Sequence, residues 1–397
     1  MESIKDKVAI IGMGCTKFGE CFDQSIDDMI IDAVYEAMDD SKVESKDIEA
    51  AWFGTLMGGI TGGVFSEALQ WDNLPVTRVE NNCASALEAL RNGMFGIASG
   101  MYDIVIAVGA EKCKDTGTGA LTFPYGYHPA YGYMTAPSAY AAAALRYFAK
   151  YGIDIEDGRK LLAQIAVKNH HNGTLAPKAH FQREIKLEQA LNAPTISWPL
   201  GLFDCCPTTD GAAAAILCRA DLAPKFRDDY ILVKGIGLAV GRRNVYSGRI
   251  KDKDDSDYTI WSETVAASKQ AYAQAGVTDP RKEISIASVH DCFTITELVN
   301  YESLGFSPVG RAREDVESGF FNLDGDLPVN TDGGLKAFGH PVGASGLRMV
   351  YELYKQIQGK AEKRQIKDVD LGVAHCQGGN PTGGFQASVA VVGPPRD

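Results

Sequence analysis

Four short clusters of cysteine and histidine could do chemistry. Cys83 stands in Asn81-Asn82-Cys83-Ala84-Ser85-Ala86-Leu87, where a loop enters a helical pattern. Unpaired N–H groups at a helix start carry partial positive charge, which lowers a thiol pKa and favours the nucleophilic thiolate. The same groups can stabilise an oxyanion on an acylated cysteine. On this fragment alone, packing as a small hydrophobe is the commoner role of a cysteine. His340 lies in Gly339-His340-Pro341-Val342-Gly343-Ala344-Ser345-Gly346. Glycines on both sides let backbone approach a ligand closely, and a histidine there can take a thiol proton as general base.

Cys376 is read as following directly on a buried strand, in His375-Cys376-Gln377-Gly378-Gly379. A thiol there could shuttle a proton, and the Gly378 and Gly379 amides could bind an oxyanion. His290-Asp291-Cys292-Phe293 also ends a strand. His290 could donate to an oxyanion and Cys292 is a second acid/base candidate. Three consecutive side chains cannot all turn toward one ion, so no metal site is expected there. His170, His171 and His180 are expected on exposed helix or loop. Cys205-Cys206 is expected to pack, and Cys15, Cys21, Cys113 and Cys218 carry no constellation.

The elements that must hold these groups alternate β-rich runs with helical periodicity, the pattern of an α/β fold. Strands are expected at Val8–Ile11, Ala51–Phe53, Ile104–Val108 and Ala212–Cys218, with helices at Ile26–Met38 and 83–99. In the latter, Leu87, Leu90, Met94 and Ile97 share one face. The order repeats: strands at Ile231–Val233, Ile284–Val289, Val369–Ala374 and Gln386–Val392, helices at 262–275 and 343–357. Cys83 and His340 fall at equivalent helix starts of the two halves. Two such halves about a pseudo-twofold axis would bring both to one central site.

Residues 112–205 interrupt the first half, opening with the aromatic stretch Phe123 to Tyr133 and continuing with helices near 137–150 and 157–172. An insertion this long often carries binding function. The run Lys251 to Asp255 reads as a solvated loop.

Composition narrows the classes. The 397 residues are 45% hydrophobic, which excludes disorder, and the net charge of −12 disfavours a nucleic-acid backbone as partner. No apolar run is long enough to span a bilayer and no leader segment is evident at the start, so a membrane partner is not expected. Nine cysteines without paired spacing fit a reducing, cytoplasmic setting.

Taken together, the clusters resemble the thiolase superfamily over nearly the whole chain. Cys83-Ala84-Ser85 is similar to its Cys-x-Ser nucleophile motif, and Gly339-His340-Pro341 to its Gly-His-Pro signature. Asp210-Gly211-Ala212-Ala213 resembles the segment before the last strand of the first half. Where many thiolases have Asn-Glu-Ala-Phe, His290-Asp291-Cys292-Phe293 resembles the sterol-carrier-protein type and its archaeal and bacterial relatives. The chain departs from many members in lacking a third consecutive glycine after Gly379.

The resemblance implies two βαβαβαββ halves in a five-layer αβαβα sandwich: residues 1–111 with 206–225, then 226–397. It makes 112–205 a loop domain over an acyl-CoA tunnel. It implies an acyltransferase that cleaves or forms a 3-oxoacyl-CoA through an acyl group on Cys83, short-chain or aromatic, with coenzyme A as co-substrate and no bound cofactor or metal. His340 would be the base, Cys376 or Cys292 the second acid/base, and His290 and Gly378 oxyanion partners. Tyr133, Met134 and Ser345 would meet the substrate. A homodimer is implied, and some relatives add a small zinc-bearing OB-fold subunit. A decarboxylating 3-oxoacyl synthase and a non-catalytic acyl-CoA- or lipid-binding subunit are the alternatives.

Overall fold

The first strand, β1 (Val8–Cys15), is buried along its whole length and carries glycines at 12 and 14. The glycines are needed because helix α1 (Ile26–Ser41) lies against the strand: a Cβ at Gly14 would sit 2.0 Å from the Ala33 carbonyl oxygen. Ser25 and Asp28 cap that helix reciprocally, each side chain accepting the other's backbone N–H. The computed structural model describes residues 3–115, 127–128, 132–133, 135–241, 258–380 and 384–395.

Next come β2 (Ala50–Gly54), α2 (Gly63–Leu69), β3 (Val76–Val79), α3 (Ser85–Ala98) and β4 (Ile104–Glu111). The long interruption holds β5 (Tyr127–His128), β6 (Gly132–Tyr133), α4 (Ala136–Tyr151), α5 (Ile155–Thr174), α6 (Leu187–Leu191), β7 (Thr195–Ser197) and β8 (Leu200–Gly201). Strand β9 (Gly211–Arg219) closes the first half.

The second half runs β10 (Ile231–Val240), α7 (Ser262–Ala275), α8 (Pro280–Glu283), β11 (Ile286–Val289), α9 (Thr294–Ser303) and α10 (Ala312–Ser318). Then follow α11 (Gly334–Ala337), α12 (Ser345–Ile357), β12 (Gly372–Asn380) and β13 (Gly384–Gly393).

The expected repeat is present in the hydrogen bonding. Among the described residues the main sheet runs β11-β12-β13-β10-β1-β9-β4-β2-β3. Outward from the centre, one side reads β1-β9-β4-β2-β3 and the other β10-β13-β12-β11, with the same sequence of antiparallel and parallel pairings. Val329 bridges Ala287 in parallel where β3 pairs with β2 in the first half. The halves join through the antiparallel β1–β10 pair, Ala9 opposite Leu232. Gly235 and Gly237 repeat the close approach of the first half, a Cβ at either falling within 2.1 Å of a carbonyl oxygen of α7.

Helices α3 and α12 form the layer between the halves. Nearly every residue of α12 is buried, because it meets β12 and β11 of its own half and β9 and β1 of the other. A Cβ at Gly346 would stand 2.8 Å from the Leu87 nitrogen, so the two helix starts touch backbone to backbone. With α1 and α7 outside, this is the αβαβα order expected. Among the described residues no helix is long and apolar enough to cross a membrane.

Three local expectations are corrected. Cys376 does not follow its strand but lies inside β12, because the ladder continues through Gly378 and Gly379, opposite Gln386 and Phe385. His170 is buried rather than exposed, since α5 turns it toward Arg183 and Lys336; His171 remains exposed. The central helix starts at Ser85, which leaves Cys83 in the preceding turn. The Lys251–Asp255 run and Phe123–Gly126 lie outside the described residues.

Candidate active site

Asn82 adopts a left-handed conformation, φ 50°, which asparagine tolerates better than most residues. That turn is stapled by Ser85, whose hydroxyl accepts the Asn81 N–H and donates to the Asn82 carbonyl. Cys83 is thereby presented at the mouth of α3. The Cys-x-Ser spacing thus has a physical cause: the serine holds the turn that lifts the thiol. Asn82 also donates to the Gln386 side chain on β13, tying the turn to the other half.

His340 arrives from the opposite half. Its Nε2 stands 3.3 Å from Cys83 Sγ and its Nδ1 2.7 Å from Ser345 Oγ. Ser345 donates its own proton to the Pro341 carbonyl, so it accepts from His340 Nδ1–H, leaving the Nε2 lone pair facing the thiol. Ser345, expected to meet substrate, is fully buried and instead orients this imidazole. The equivalence of the two helix starts therefore brings nucleophile and base together.

His290 meets His340 edge-on, ring centroids 5.3 Å apart. Its Nδ1 is 3.4 Å from Cys376 Sγ, and the Cys376 thiol donates to the Cys83 carbonyl at 2.8 Å. His290 Nε2 is buried and has no hydrogen-bond partner among the described residues. Behind it, the His290 N–H donates to His375 Nδ1, and Asn300 donates to the His290 carbonyl. Cys292 points elsewhere, its sulfur beside Thr296 Oγ1 at 3.7 Å and hydrogen-bonded by Tyr140. Asp291 turns a third way, accepting from the Leu335 and Lys336 amides and Asn169. The three neighbours diverge as their adjacency requires.

Gly378 touches the nucleophile's turn. A Cβ there would lie 2.4 Å from Asn82 Cβ and 2.8 Å from the Cys83 nitrogen, so only glycine fits. Of the residues expected at the substrate, Met134 lies outside the described residues, as does the Tyr133 side chain.

Electrostatics reverse one expectation. Burial, reinforced by the neighbouring Cys376, Cys292 and Cys206 thiols, holds the Cys83 thiol well above its ordinary range. The helix start does not overcome desolvation. Burial, with the Arg348 charge, pushes His340 down to about 3. The resting pair is neutral thiol and neutral imidazole. Burial also raises Cys292 to about 12 and Cys376 well above the usual thiol range.

Several positioning groups were not legible beforehand. Glu111, at the end of β4, accepts from the Leu56, Met57 and Gly343 amides and the Thr55 hydroxyl, clamping the His340 loop onto the first half. Asn330, left-handed at φ 56°, accepts the Val289 N–H just before His290. The signal was present in the asparagines preceding glycine-rich or cysteine turns, but nothing local says what they hold.

A repeated sheet around two buried helices whose starts carry a cysteine and a histidine defines a thiolase-type architecture. The structure of an Ltp2-ChsH2(DUF35) aldolase superposes with a TM-score of 0.85 at 24% identity, over 99% of both chains. Residues 8–221 match the thiolase N-terminal domain family and 248–392 the thiolase C-terminal domain-like family; the chain belongs to the thiolase family. It is 39% identical to acetyl-CoA acetyltransferase of Methanothermobacter thermautotrophicus, over 96% of this chain and 98% of the relative. Sterol carrier protein 2 of Oryctolagus cuniculus is 30% identical over 94% of this chain and 70% of that protein. Benzoylsuccinyl-CoA thiolase subunit BbsB of Thauera aromatica is 30% identical over 95% and 96%. The resemblance read from the motifs, including its sterol-carrier-protein flavour, is borne out.

Proposed function

We propose that this chain transfers an acyl group between a 3-oxoacyl-CoA and coenzyme A through a thioester on Cys83. The observation that carries the reading is the 3.3 Å pairing of Cys83 Sγ with the free lone pair of His340 Nε2. In the cleavage direction the Cys83 sulfur attacks the 3-oxo carbon while His340 takes its proton. Because both groups rest neutral, proton transfer accompanies bond formation instead of preceding it. The bond between the carbonyl carbon and the neighbouring carbon then breaks, and its electron pair leaves on the acetyl-CoA fragment. A thiol protonates that carbon. Coenzyme A, losing its own proton, takes the acyl group from Cys83. The covalent intermediate divides one difficult step into two.

Cys376 is our choice for the second acid/base. It contacts both His290 and the Cys83 carbonyl, whereas Cys292 is engaged by Thr296 and Tyr140. Protonated His340 acquires an Nε2–H that faces the thioester oxygen as negative charge develops; His290, protonated on Nδ1 at rest, joins it as a second donor once its proton has shifted to Nε2 and the Cys376 thiol has turned to Nδ1. The Cys83 and Gly378 amides serve the acyl oxyanion.

Residues 112–205 would cover the acyl-CoA. Of the short-chain and aromatic acyl groups we favour the short, on the support of buried Tyr140 and Phe293, which stack 4.5 Å apart beside the Cys292 thiol. A homodimer and a small zinc-bearing OB-fold subunit complete the reading. The second has support from the relative named as a thiolase subunit and from the fold shared with the Ltp2-ChsH2(DUF35) aldolase.

The test is to incubate the purified chain with aliphatic and aromatic 3-oxoacyl-CoAs, quench in acid and map the acylated peptide by mass spectrometry. An adduct on Cys83 with short substrates is expected. No adduct with any substrate, even after cell extract is added back, would sink the proposal.

A further inference from the structure

Cys83, His290 and His340 come from three separate segments, yet one donor atom of each lies within 4.8 Å of the other two. In tetrahedral zinc sites, with metal–sulfur bonds of about 2.3 Å and metal–nitrogen bonds of about 2.0–2.1 Å, neighbouring ligand atoms stand roughly 3.3–3.6 Å apart. Cys83 Sγ and His340 Nε2 already have 3.3 Å between them. A cation entering here would need small side-chain adjustments only.

The outer contacts also suit a metal. Imidazoles that bind metal through one nitrogen are usually held at the other, which fixes tautomer and ring direction. His340 Nδ1 is held by Ser345 Oγ and His290 Nδ1 faces Cys376 Sγ. The second observation is His290 Nε2: the residue is fully buried, and this atom has no hydrogen-bond partner among the described residues. With its proton on Nδ1, His290 turns a bare lone pair on Nε2. A buried lone pair without a donor is costly, and a cation would satisfy it.

We propose that Cys83, His290 and His340 form a binding site for a thiophilic divalent cation, zinc by its chemistry, which silences the nucleophile reversibly. One sulfur and two imidazole nitrogens select zinc over magnesium or calcium, which prefer oxygen. On binding, the Cys83 S–H bond breaks, its proton leaves to solvent, and the sulfur electron pair forms the bond to zinc; both imidazoles give lone pairs. Water fills the fourth position, reached through the partly exposed side of Cys83. Nothing is oxidised or reduced. The occupied site excludes the acyl carbonyl, so the cation acts as an inhibitor, distinct from any zinc that a partner subunit carries.

The experiment uses the full chain without acyl-CoA, so its failure leaves the acyl-transfer reading untouched. Zinc chloride is titrated in a non-chelating buffer with a phosphine reductant, and iodoacetamide labelling is followed peptide by peptide. Equimolar zinc should slow Cys83 labelling by about tenfold or more, leave partly exposed Cys21 unchanged, and be reversed by EDTA. His290→Gln should demand about tenfold more zinc for the same protection, while His171→Gln, far out on α5, should match the unaltered chain. Cobalt(II) should give a thiolate-to-metal charge-transfer absorption that Cys83→Ser abolishes, a readout that stands even if His290→Gln does not fold. Unprotected Cys83 at equimolar zinc, equal protection in His290→Gln, weakened protection in His171→Gln, or a cobalt spectrum that survives Cys83→Ser would each overturn the proposal.

Discussion

Arg348 and Asp332 form an ion pair with no exposed surface on either side chain, Nη1 to Oδ2 at 2.6 Å, behind the loop that carries His340. The guanidinium lies 5.1 Å from the centre of the Phe338 ring, and Asp332 also accepts the Gly334 N–H. The pair therefore sets the loop, and its positive member helps keep His340 neutral. Removing one partner leaves an uncompensated buried charge, so Asp332→Asn or Arg348→Met should each destabilise the fold by about 3–5 kcal/mol. Urea unfolding checks this; a loss under about 1 kcal/mol, the range of exposed pairs, would mean the charges are relieved some other way.

Gly378 should not tolerate a side chain. A Cβ there meets Asn82, the Asn81 carbonyl and the Cys83 nitrogen at 2.4–2.8 Å, all in the turn that presents the nucleophile. Displacing that turn by a fraction of an ångström to an ångström should slow acylation of Cys83 by roughly 100-fold in Gly378→Ala. Circular dichroism must show an intact fold for the comparison to count. Unchanged acylation would show that the strand, not the nucleophile, gives way.

The neutral Cys83–His340 pair makes a pH prediction with a definite sign. A thiol held above its ordinary range loses its proton only as pH rises, so thiolate is scarce at neutrality. The iodoacetamide rate should climb by about tenfold per pH unit. No plateau should appear below the ordinary thiol value of 9.0. A plateau beginning below neutrality would reveal a preformed ion pair. His340→Ala should instead slow acylation of Cys83 by a 3-oxoacyl-CoA, the step in which the imidazole takes the proton as the bond forms.

Cys376 and Cys292 should separate cleanly. Cys376→Ser is expected to lower turnover by roughly 100-fold or more, a common size for losing a positioned acid/base. Cys292→Ser should cost less than about tenfold, consistent with a thiol whose contacts are a threonine and a tyrosine. The reverse order would move the acid/base role to Cys292.

Tyr140→Ala should admit longer acyl groups. Its ring stacks on Phe293 and its hydroxyl reaches toward the Gly379 carbonyl, so truncation opens space beside the thiols. Acyl-Cys83 formation with medium-chain 3-oxoacyl-CoAs should rise relative to the short-chain substrate. An unaltered ratio would mean that other residues limit chain length.

Much of this molecule was legible along the chain. The helix expected at 262–275 is found at Ser262–Ala275, and the shared face of Leu87, Leu90, Met94 and Ile97 is wholly buried. Periodicity reports burial directly, so such elements declare themselves. Two elements did not: β3 is only four residues long, and α9 is buried on every side, so its polar residues mark no solvent face for a periodicity to report. Glu111 was invisible as a clamp because its partners are backbone amides of segments distant in sequence. His170 looked like surface histidine because the helix-on-loop contact that buries it involves Lys336 and Arg183.

Residue types, glycine placement and the repeated order of strands and helices determined the family, the α/β plan and the meeting of Cys83 with His340. Those features depend on local backbone preference and on a symmetry written into the chain. Proton positions were decided only by tertiary packing. Desolvation, which no motif encodes, keeps Cys83 a thiol and His340 a neutral base. It is also the fold that sets the Cys376 thiol on the Cys83 carbonyl and the Cys292 sulfur beside Thr296, since the partner each thiol meets depends on the path of β12 and the turn after β11.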